Sequence, residues 1–117
     1  MNHRNFTRVN FSEFASIRFE EKVFFGNVEN ISLQGLFVKT HEDIPLNTPV
    51  DVTVYHSQDH SIRLSVAVIR QDSAGVAMQI RKMNSDSFGH LKNVIEERCL
   101  DQGLILLETA MVACRIC

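Results

Sequence analysis

The sequence lacks three features that would place it in a broad class at once: a long apolar run, an excess of basic charge and an even set of cysteines. No stretch approaches the roughly 20 apolar residues that cross a bilayer, and no apolar core of a secretory signal follows the polar N-terminus. Because 12 Lys and Arg stand against 14 Asp and Glu, the chain is unsuited to coating long nucleic acid. We therefore expect a cytoplasmic protein that does not insert into membranes.

The cysteines argue against a disulfide scaffold. Their number is odd, and Cys99, Cys114 and Cys117 all lie near the end of the chain, whereas a secreted scaffold distributes an even number across its fold. The last two have C-x-x-C spacing, which is compatible with zinc binding or dithiol chemistry. A zinc site needs about four ligands, and no second C-x-x-C or H-x-x-x-H pair exists, so two free thiols are the favoured interpretation.

The motifs of common enzyme classes are also missing. The sequence contains no P-loop and no Rossmann glycine pattern, and no paired-carboxylate, Cys/His or Ser/His arrangement that local spacing supports. Isolated acids such as Glu96 and Glu97 fall on a predicted helix and suit its solvated face. We therefore expect no catalysis, no cofactor and no metal.

What the sequence does have is a repeated alternation of apolar and polar residues, a period of two that is typical of strands with one buried face. Six short runs carry this pattern or flank a turn, at residues 15–19, 23–28, 36–39, 50–55, 62–69 and 76–80. Turn-forming residues separate them. Six short strands at this spacing predict a mainly β protein, built as a small antiparallel barrel or sandwich.

The pattern becomes helical after Asn84, which is itself a candidate N-cap. Apolar residues then recur at helical spacing down to Cys99, and Gly103 is expected to interrupt or end the helix. We predict one domain over residues 1–103 and an apolar tail, expected to be helical, over residues 104–117. The tail is too short to span a bilayer, and it could either pack on the barrel or pair with a second copy of the chain.

Two polar motifs stand apart from this scaffold. Arg4 and Arg8 are four positions apart ahead of the first predicted strand, and Asn30, Ser32 and Gly35 form an N-x-S-x-x-G motif between two apolar runs. The second motif suits a turn, because Asn and Ser bond their own backbone and Gly accepts positive φ. Taken alone, each motif is also common as a solvated pair or a structural turn.

Together, in this order and ahead of a barrel-like pattern, the motifs resemble those of the PilZ family, R-x-x-x-R followed by [D/N]-x-S-x-x-G. Arg8 and Asn30 are 22 positions apart in the sequence, a separation that suits the family. The resemblance extends over residues 3–100, with a departure at Asn47, a turn position where the family often has glycine. It implies a six-stranded antiparallel β-barrel with a C-terminal α-helix or helices.

The PilZ resemblance also implies a receptor for cyclic di-GMP. Arg4 and Arg8 would close over the ligand from a mobile N-terminal arm, because a guanidinium fork pairs with phosphate oxygens or with guanine O6 and N7. Asn30 would read a guanine edge, Ser32 would offer a hydroxyl, and Gly35 would let the ligand approach the backbone. Such a receptor would signal to an unidentified protein effector in motility, polysaccharide secretion or adhesion.

Two alternatives stay open at this point. One is a PilZ-fold interaction module that does not depend on nucleotide and uses the barrel and the apolar tail, which could also form a homodimer. The other is a small-barrel binder of single-stranded nucleic acid, whose bases would stack on aromatic rings. The candidates for such stacking are Phe6, Phe11, Phe24, Phe25 and Phe37, although their spacings are more typical of a core.

Overall fold

The alternating runs form six strands in a computed structural model, which describes residues 7–56, 61–98 and 108–111. The strands are β1 (Val9–Phe19), β2 (Lys22–Ile31), β3 (Gly35–Lys39), β4 (Pro49–Tyr55), β5 (Ser61–Asp72) and β6 (Gly75–Met83). All neighbours pair antiparallel in the order β1-β2-β3-β6-β5-β4, and β4 pairs back onto β1. The predicted six-stranded antiparallel β-barrel is confirmed.

The barrel interior is filled by the apolar half of each alternating run. On β4, Val50, Val52 and Val54 are buried while Asp51 is exposed, as a period of two requires. The four inward residues of β5 repeat the pattern with Ile62, Leu64, Val66 and Val68. Because side chains fill a barrel of this size, we look for a ligand site on its outer surface.

A helix, α1 (Ser85–Arg98), follows the last strand. It begins at the predicted cap, where the Asn84 Oδ1 atom accepts a hydrogen bond of 2.8 Å from the Ser87 backbone N–H. The buried Ser87 Oγ in turn accepts from the Arg63 backbone N–H at 2.9 Å, which ties the helix to β5. Its buried apolar face consists of Leu91, Val94 and Ile95.

Strand β1 begins at Val9, six residues earlier than the apolar pattern predicts. In the middle of the strand, a polar residue faces inward and an apolar residue faces outward. Glu13 occupies an inward position between the buried Phe11 and Ala15, while Phe14 points outward and is exposed. The Glu13 Oε2 atom lies 3.3 Å from His56 Nδ1. A polar residue with a partner on the inward face therefore concealed the first half of the strand from sequence reasoning.

Asn47, the departure from the family pattern, adopts a left-handed backbone conformation with φ of 62°. Glycine adopts this conformation without cost, and Asn is among the few other residues that tolerate it. The Asn47 backbone N–H donates to the carbonyl oxygen of Val68 at 2.8 Å. The turn is therefore preserved with Asn in place of glycine.

Several predicted features lie outside the described residues, among them Arg4, Phe6 and all three cysteines. Of the tail, residues 108–111 are described and are helical; the boundary at residue 103 and the helical character of the rest stay predictions. Over the ranges that the structure describes, no helix is long and apolar enough to cross a membrane. In the same ranges, no group of three or more His, Cys, Asp and Glu side chains is placed to hold a metal ion.

Candidate ligand-binding site

A β-bulge in β2 turns Asn30 away from the core. Val28 pairs with Val38 of β3 and Asn30 pairs with Phe37, so that Glu29 is an extra residue in β2. Strict alternation would put Asn30 on the inward face that Val28 occupies, because the side-chain period of a strand is two. With the bulge, Ile31 takes the next buried position and the Asn30 side chain reaches the outer surface.

A second bulge does the same for Arg70 on β5. Val68 pairs with Met78 of β6 and Arg70 pairs with Ala77, which leaves Ile69 as the extra residue. Val68 is fully buried, whereas Ile69 is 51% exposed and Arg70 is also exposed. Both bulges thus place on the outside a polar side chain that alternation would have assigned to the interior.

The two outward side chains lie in one row across four strands. Asn30 of β2 pairs with Phe37 of β3, Phe37 pairs with Ala77 of β6, and Ala77 pairs with Arg70 of β5. The small Ala77 side chain lies between the larger Phe37 and Arg70 side chains, which leaves a depression in the surface. The half-buried Phe37 ring supplies an apolar floor.

Arg8 reaches this row from the residue that precedes β1. Its Nη1 atom donates a hydrogen bond of 2.6 Å to Asn30 Oδ1, and the pairing of Val9 with Ile31 places Arg8 next to the end of β2. The structure therefore brings one residue of each sequence motif into direct contact. Arg4, the other arginine of the first motif, lies outside the described residues.

The cavity around this contact has a volume of about 440 Å³. It is lined by Arg8, Glu29, Asn30, Phe37, Ile69, Arg70 and Ala77. Partial burial of the Arg8 guanidinium and, secondly, its proximity to the Arg70 guanidinium lower the pKa of Arg8 below its ordinary value. Two cations in one cavity repel each other, so an anion that lies between them would relieve that repulsion.

Ser32 is buried in the turn between β2 and β3. Its side chain is 2% exposed, and its Oγ accepts hydrogen bonds from the backbone N–H groups of Gln34 and Gly35, each at 3.1 Å. The same hydroxyl donates to the Gly35 carbonyl oxygen at 3.2 Å. In this structure the hydroxyl therefore shapes the turn between β2 and β3, and a contact from Ser32 to a ligand stays a prediction.

Gly35 is explained by packing between strands. A Cβ atom at this position would lie 2.5 Å from the Met78 carbonyl oxygen of β6 and 3.7 Å from Arg8 Nη2. The first distance is far inside van der Waals contact, so β3 could not pair this closely with β6 if residue 35 had a side chain. Its φ is not in the left-handed region, so the positive φ that the motif suggested is not the reason for glycine here.

Arg70 and Phe37 are the site residues that motif reasoning missed or placed elsewhere. Arg70 appears in the sequence only as the end of an alternating run, and Phe37 as one of several candidate core or stacking aromatics. A signal for Arg70 exists, since Ile69 breaks the alternation of residues 62–68 immediately before it, as a bulge would. Of the other described aromatics, Phe11 is fully buried and Phe24 packs against the core, whereas Phe25 is exposed.

Comparison with known proteins identifies the family of the chain. Residues 2–97 match the sequence model of the PilZ domain, a kind of regulatory binding domain. Among curated proteins, no sequence is significantly similar to the chain.

Two solved structures share the fold. The PilZ domain of CeSA from a cellulose-synthesizing bacterium is 15% identical with a TM-score of 0.63, over 78% of this chain and 96% of that one. The K. pneumonia MrkH–c-di-GMP complex is 17% identical with a TM-score of 0.50, over 59% of this chain and 31% of that one. With the family match covering the barrel, the Arg8–Asn30 contact and α1, the chain belongs to the PilZ domain family.

Proposed function

We propose that this protein is a receptor for cyclic di-GMP that binds the dinucleotide in the cavity of Arg8 and signals to a partner protein. The observation that carries the proposal is the placement of the Arg8 guanidinium on Asn30 and beside Arg70, in one outward-facing cavity. Membership of the PilZ family supports this kind of ligand. One structural neighbour, MrkH, was solved as a complex with c-di-GMP.

The chemistry of the cavity suits both parts of this ligand. Each guanidinium is a planar fork that pairs in a bidentate manner with two phosphate oxygens or with the O6 and N7 acceptors of guanine. Arg8 and Arg70 supply two such groups, and the Phe37 ring offers a surface on which a base can stack, an interaction worth about 1–3 kcal/mol. Asn30 adds an amide whose N–H groups can donate to a base, and whose Oδ1 can accept from a base once Arg8 turns towards the ligand.

The proposed roles differ from residue to residue. Arg4 and Arg8 form the arm that closes over the ligand, and Asn30 reads a base edge. Ser32 and Gly35 are the other two proposed ligand-binding residues. In the structure, the Ser32 hydroxyl shapes the turn between β2 and β3, and Gly35 allows β3 to pair closely with β6. Arg70 is an addition to the sequence-based set.

Isothermal titration with cyclic di-GMP tests the proposal. We expect heat of binding with the unaltered protein and an affinity about ten- to a hundredfold weaker in R8A, since a bidentate pair is worth roughly 1–3 kcal/mol. R4A and R70A should weaken binding in the same direction. R18A is the matched control, because Arg18 is an exposed arginine on β1 that does not line the cavity, and it should bind like the unaltered protein.

A base-specific control separates recognition of guanine from simple attraction of an anion. Cyclic di-AMP carries the same phosphates, but adenine presents an amino donor where guanine presents O6. It should therefore bind more weakly than cyclic di-GMP. Equal affinities for the two nucleotides would contradict the proposal. So would an absence of heat with either nucleotide while a positive control gives a normal titration.

The same proposal includes a protein effector and the absence of catalysis by the chain itself. In this proposal the signal passes to the effector through a changed surface or a changed association state. The motility or exopolysaccharide processes of the family are the proposed setting, and the cytoplasm is the proposed compartment. Ligand-dependent association of the chain with itself, through residues 104–117, is measurable by sedimentation.

A nucleotide-independent interaction module is the second candidate function. The observation that favours it is a group of exposed aromatic rings on the outside of β1, β2 and β4. Phe14 stacks on Phe25 with ring centroids 5.1 Å apart, and the ring centroid of Tyr55 lies 6.0 Å from that of Phe14. Exposed aromatic clusters are frequent at protein interfaces. The titration separates the two functions, because only the first requires heat with cyclic di-GMP.

A further inference from the structure

A buried carboxylate from the C-terminal segment holds the residue that precedes Arg8. Glu108 is 0% exposed, and its Oε1 atom accepts a hydrogen bond of 3.0 Å from the Thr7 backbone N–H. Its Oε2 atom accepts a second hydrogen bond of 2.7 Å from Thr7 Oγ1. A single carboxylate thus takes up both donors of one residue, 101 positions away in the sequence.

Burial makes this contact more consequential than a surface hydrogen bond. A carboxylate taken out of water is costly unless donors compensate it, and hydrogen bonds to a charged acceptor are stronger than neutral ones. Of the buried polar residues in the described ranges, Ser32, Ser87 and Glu108, Glu108 alone is ionisable. Its position against Thr7 is therefore a determinant of how the two ends of the chain meet.

Thr7 is adjacent in the chain to the arginine of the cavity. The Glu108 carboxylate fixes the backbone and the side chain of Thr7, and the strand register of β1 fixes Val9 on the other side. Arg8 lies between these two anchors, and its guanidinium meets Asn30 at 2.6 Å.

We propose that Glu108 is a positioning residue of the cyclic di-GMP site. It acts through Thr7 to hold Arg8 ready for the ligand. This inference rests on the proposed function, since the ligand is the same. It couples the C-terminal segment to the site: docking of residue 108 favours binding, and by linkage bound ligand favours docking of residue 108 by the same factor.

Titration of variants with cyclic di-GMP measures the effect. E108Q keeps the shape and can still pair with Thr7, whose hydroxyl accepts as well as donates, but it makes both hydrogen bonds neutral and therefore weaker. We expect binding about tenfold weaker, because more of the ordering of Arg8 is then left to the ligand. T7V removes the side-chain donor and keeps the backbone N–H, so its effect should be smaller. E97Q, an exposed acid on α1, is the matched control and should bind like the unaltered protein.

A double-mutant cycle distinguishes positioning from general loss of stability. If Glu108 acts through Thr7, the affinity losses of T7V and E108Q will not add in the double variant. Additive losses, or unchanged affinity in E108Q while the unaltered protein binds, would overturn the inference and leave the proposed function intact.

A measurement without ligand keeps the two proposals separable. In hydrogen exchange followed by NMR, the Thr7 amide should lose protection in E108Q by about tenfold, as expected when a charge-assisted hydrogen bond is replaced by a neutral one. The Val38 amide in the barrel should not change. Equal protection of Thr7 in both proteins would overturn the positioning role even if the unaltered protein bound no nucleotide.

Discussion

Gly35 lies where β3 passes close to β6, and the side chain that it lacks would meet backbone on the other strand. The atom in the way is the Met78 carbonyl oxygen, 2.5 Å from the position of a Cβ, and a carbonyl in a strand ladder cannot turn aside. Gly89 on α1 offers the opposite case, because nothing lies within 4 Å of its Cβ position. A methyl group would therefore clash with the backbone at position 35 and fit without contact at position 89.

We expect G35A to destabilise the ligand-free protein by about 1–3 kcal/mol, the usual cost of overpacking. G89A should stabilise it by about 0.5–1 kcal/mol, because alanine replaces glycine inside a helix. Urea denaturation, read as a shift of the midpoint at constant slope, measures both. If Gly35 served ligand approach alone, G35A would leave the ligand-free midpoint where it was.

At the scale of elements, the hairpin between β1 and β2 contains a non-glycine residue in the left-handed region. Glu20 has φ of 57°, a conformation that costs an ordinary L-residue roughly 1–2 kcal/mol. Asn tolerates it better, as it does at position 47. The neighbouring Glu21 is not in this region.

E20N should therefore raise the free energy of unfolding by about 0.5–1 kcal/mol through relief of that strain. E21N is the control and should stay within about 0.5 kcal/mol of the unaltered protein, as exposed substitutions without a special backbone usually do. The measurement is again chemical denaturation. A gain in E21N equal to that in E20N would show that removal of negative charge, and not backbone relief, is responsible.

Alternation of apolar residues predicted the strands and their number, because a barrel core selects one face of every strand. Alternation failed to predict which residues face inward at the points where a polar residue lies on the inner face or a bulge shifts the alternation by one residue. Glu13 on the inside hid the start of β1, and the bulges at Glu29 and Ile69 turned Asn30 and Arg70 outward. The motifs located Arg8 and Asn30, but only the three-dimensional register brings Arg70 beside them. The pairing responsible is that of β3 with β6, two strands far apart in the sequence, and neither run encodes it locally.

At the scale of the whole molecule, the tail is the segment proposed to bring two copies together. Met111, in its described part, is 37% exposed. If the tail forms a homodimer, sedimentation of the full chain will give the mass of two chains, and M111K will reduce it to one by placing like charges at the contact. L46K changes a more exposed apolar residue away from the tail and should leave the dimer intact. A single-chain mass with and without cyclic di-GMP would remove the dimer from the proposal.

Closure of the barrel restricts the ways in which a partner protein can bind. In the described part of the chain, each of the six strands has a neighbour on both sides, although only residues 15–18 of β1 pair with β4 and only residues 27–31 of β2 pair with β3. Partners that dock by adding a strand to a sheet therefore find only short lengths of open edge, and the same holds for edge-to-edge aggregation. We expect recognition by a partner to depend mainly on side chains, where single substitutions can change one interaction and spare the fold.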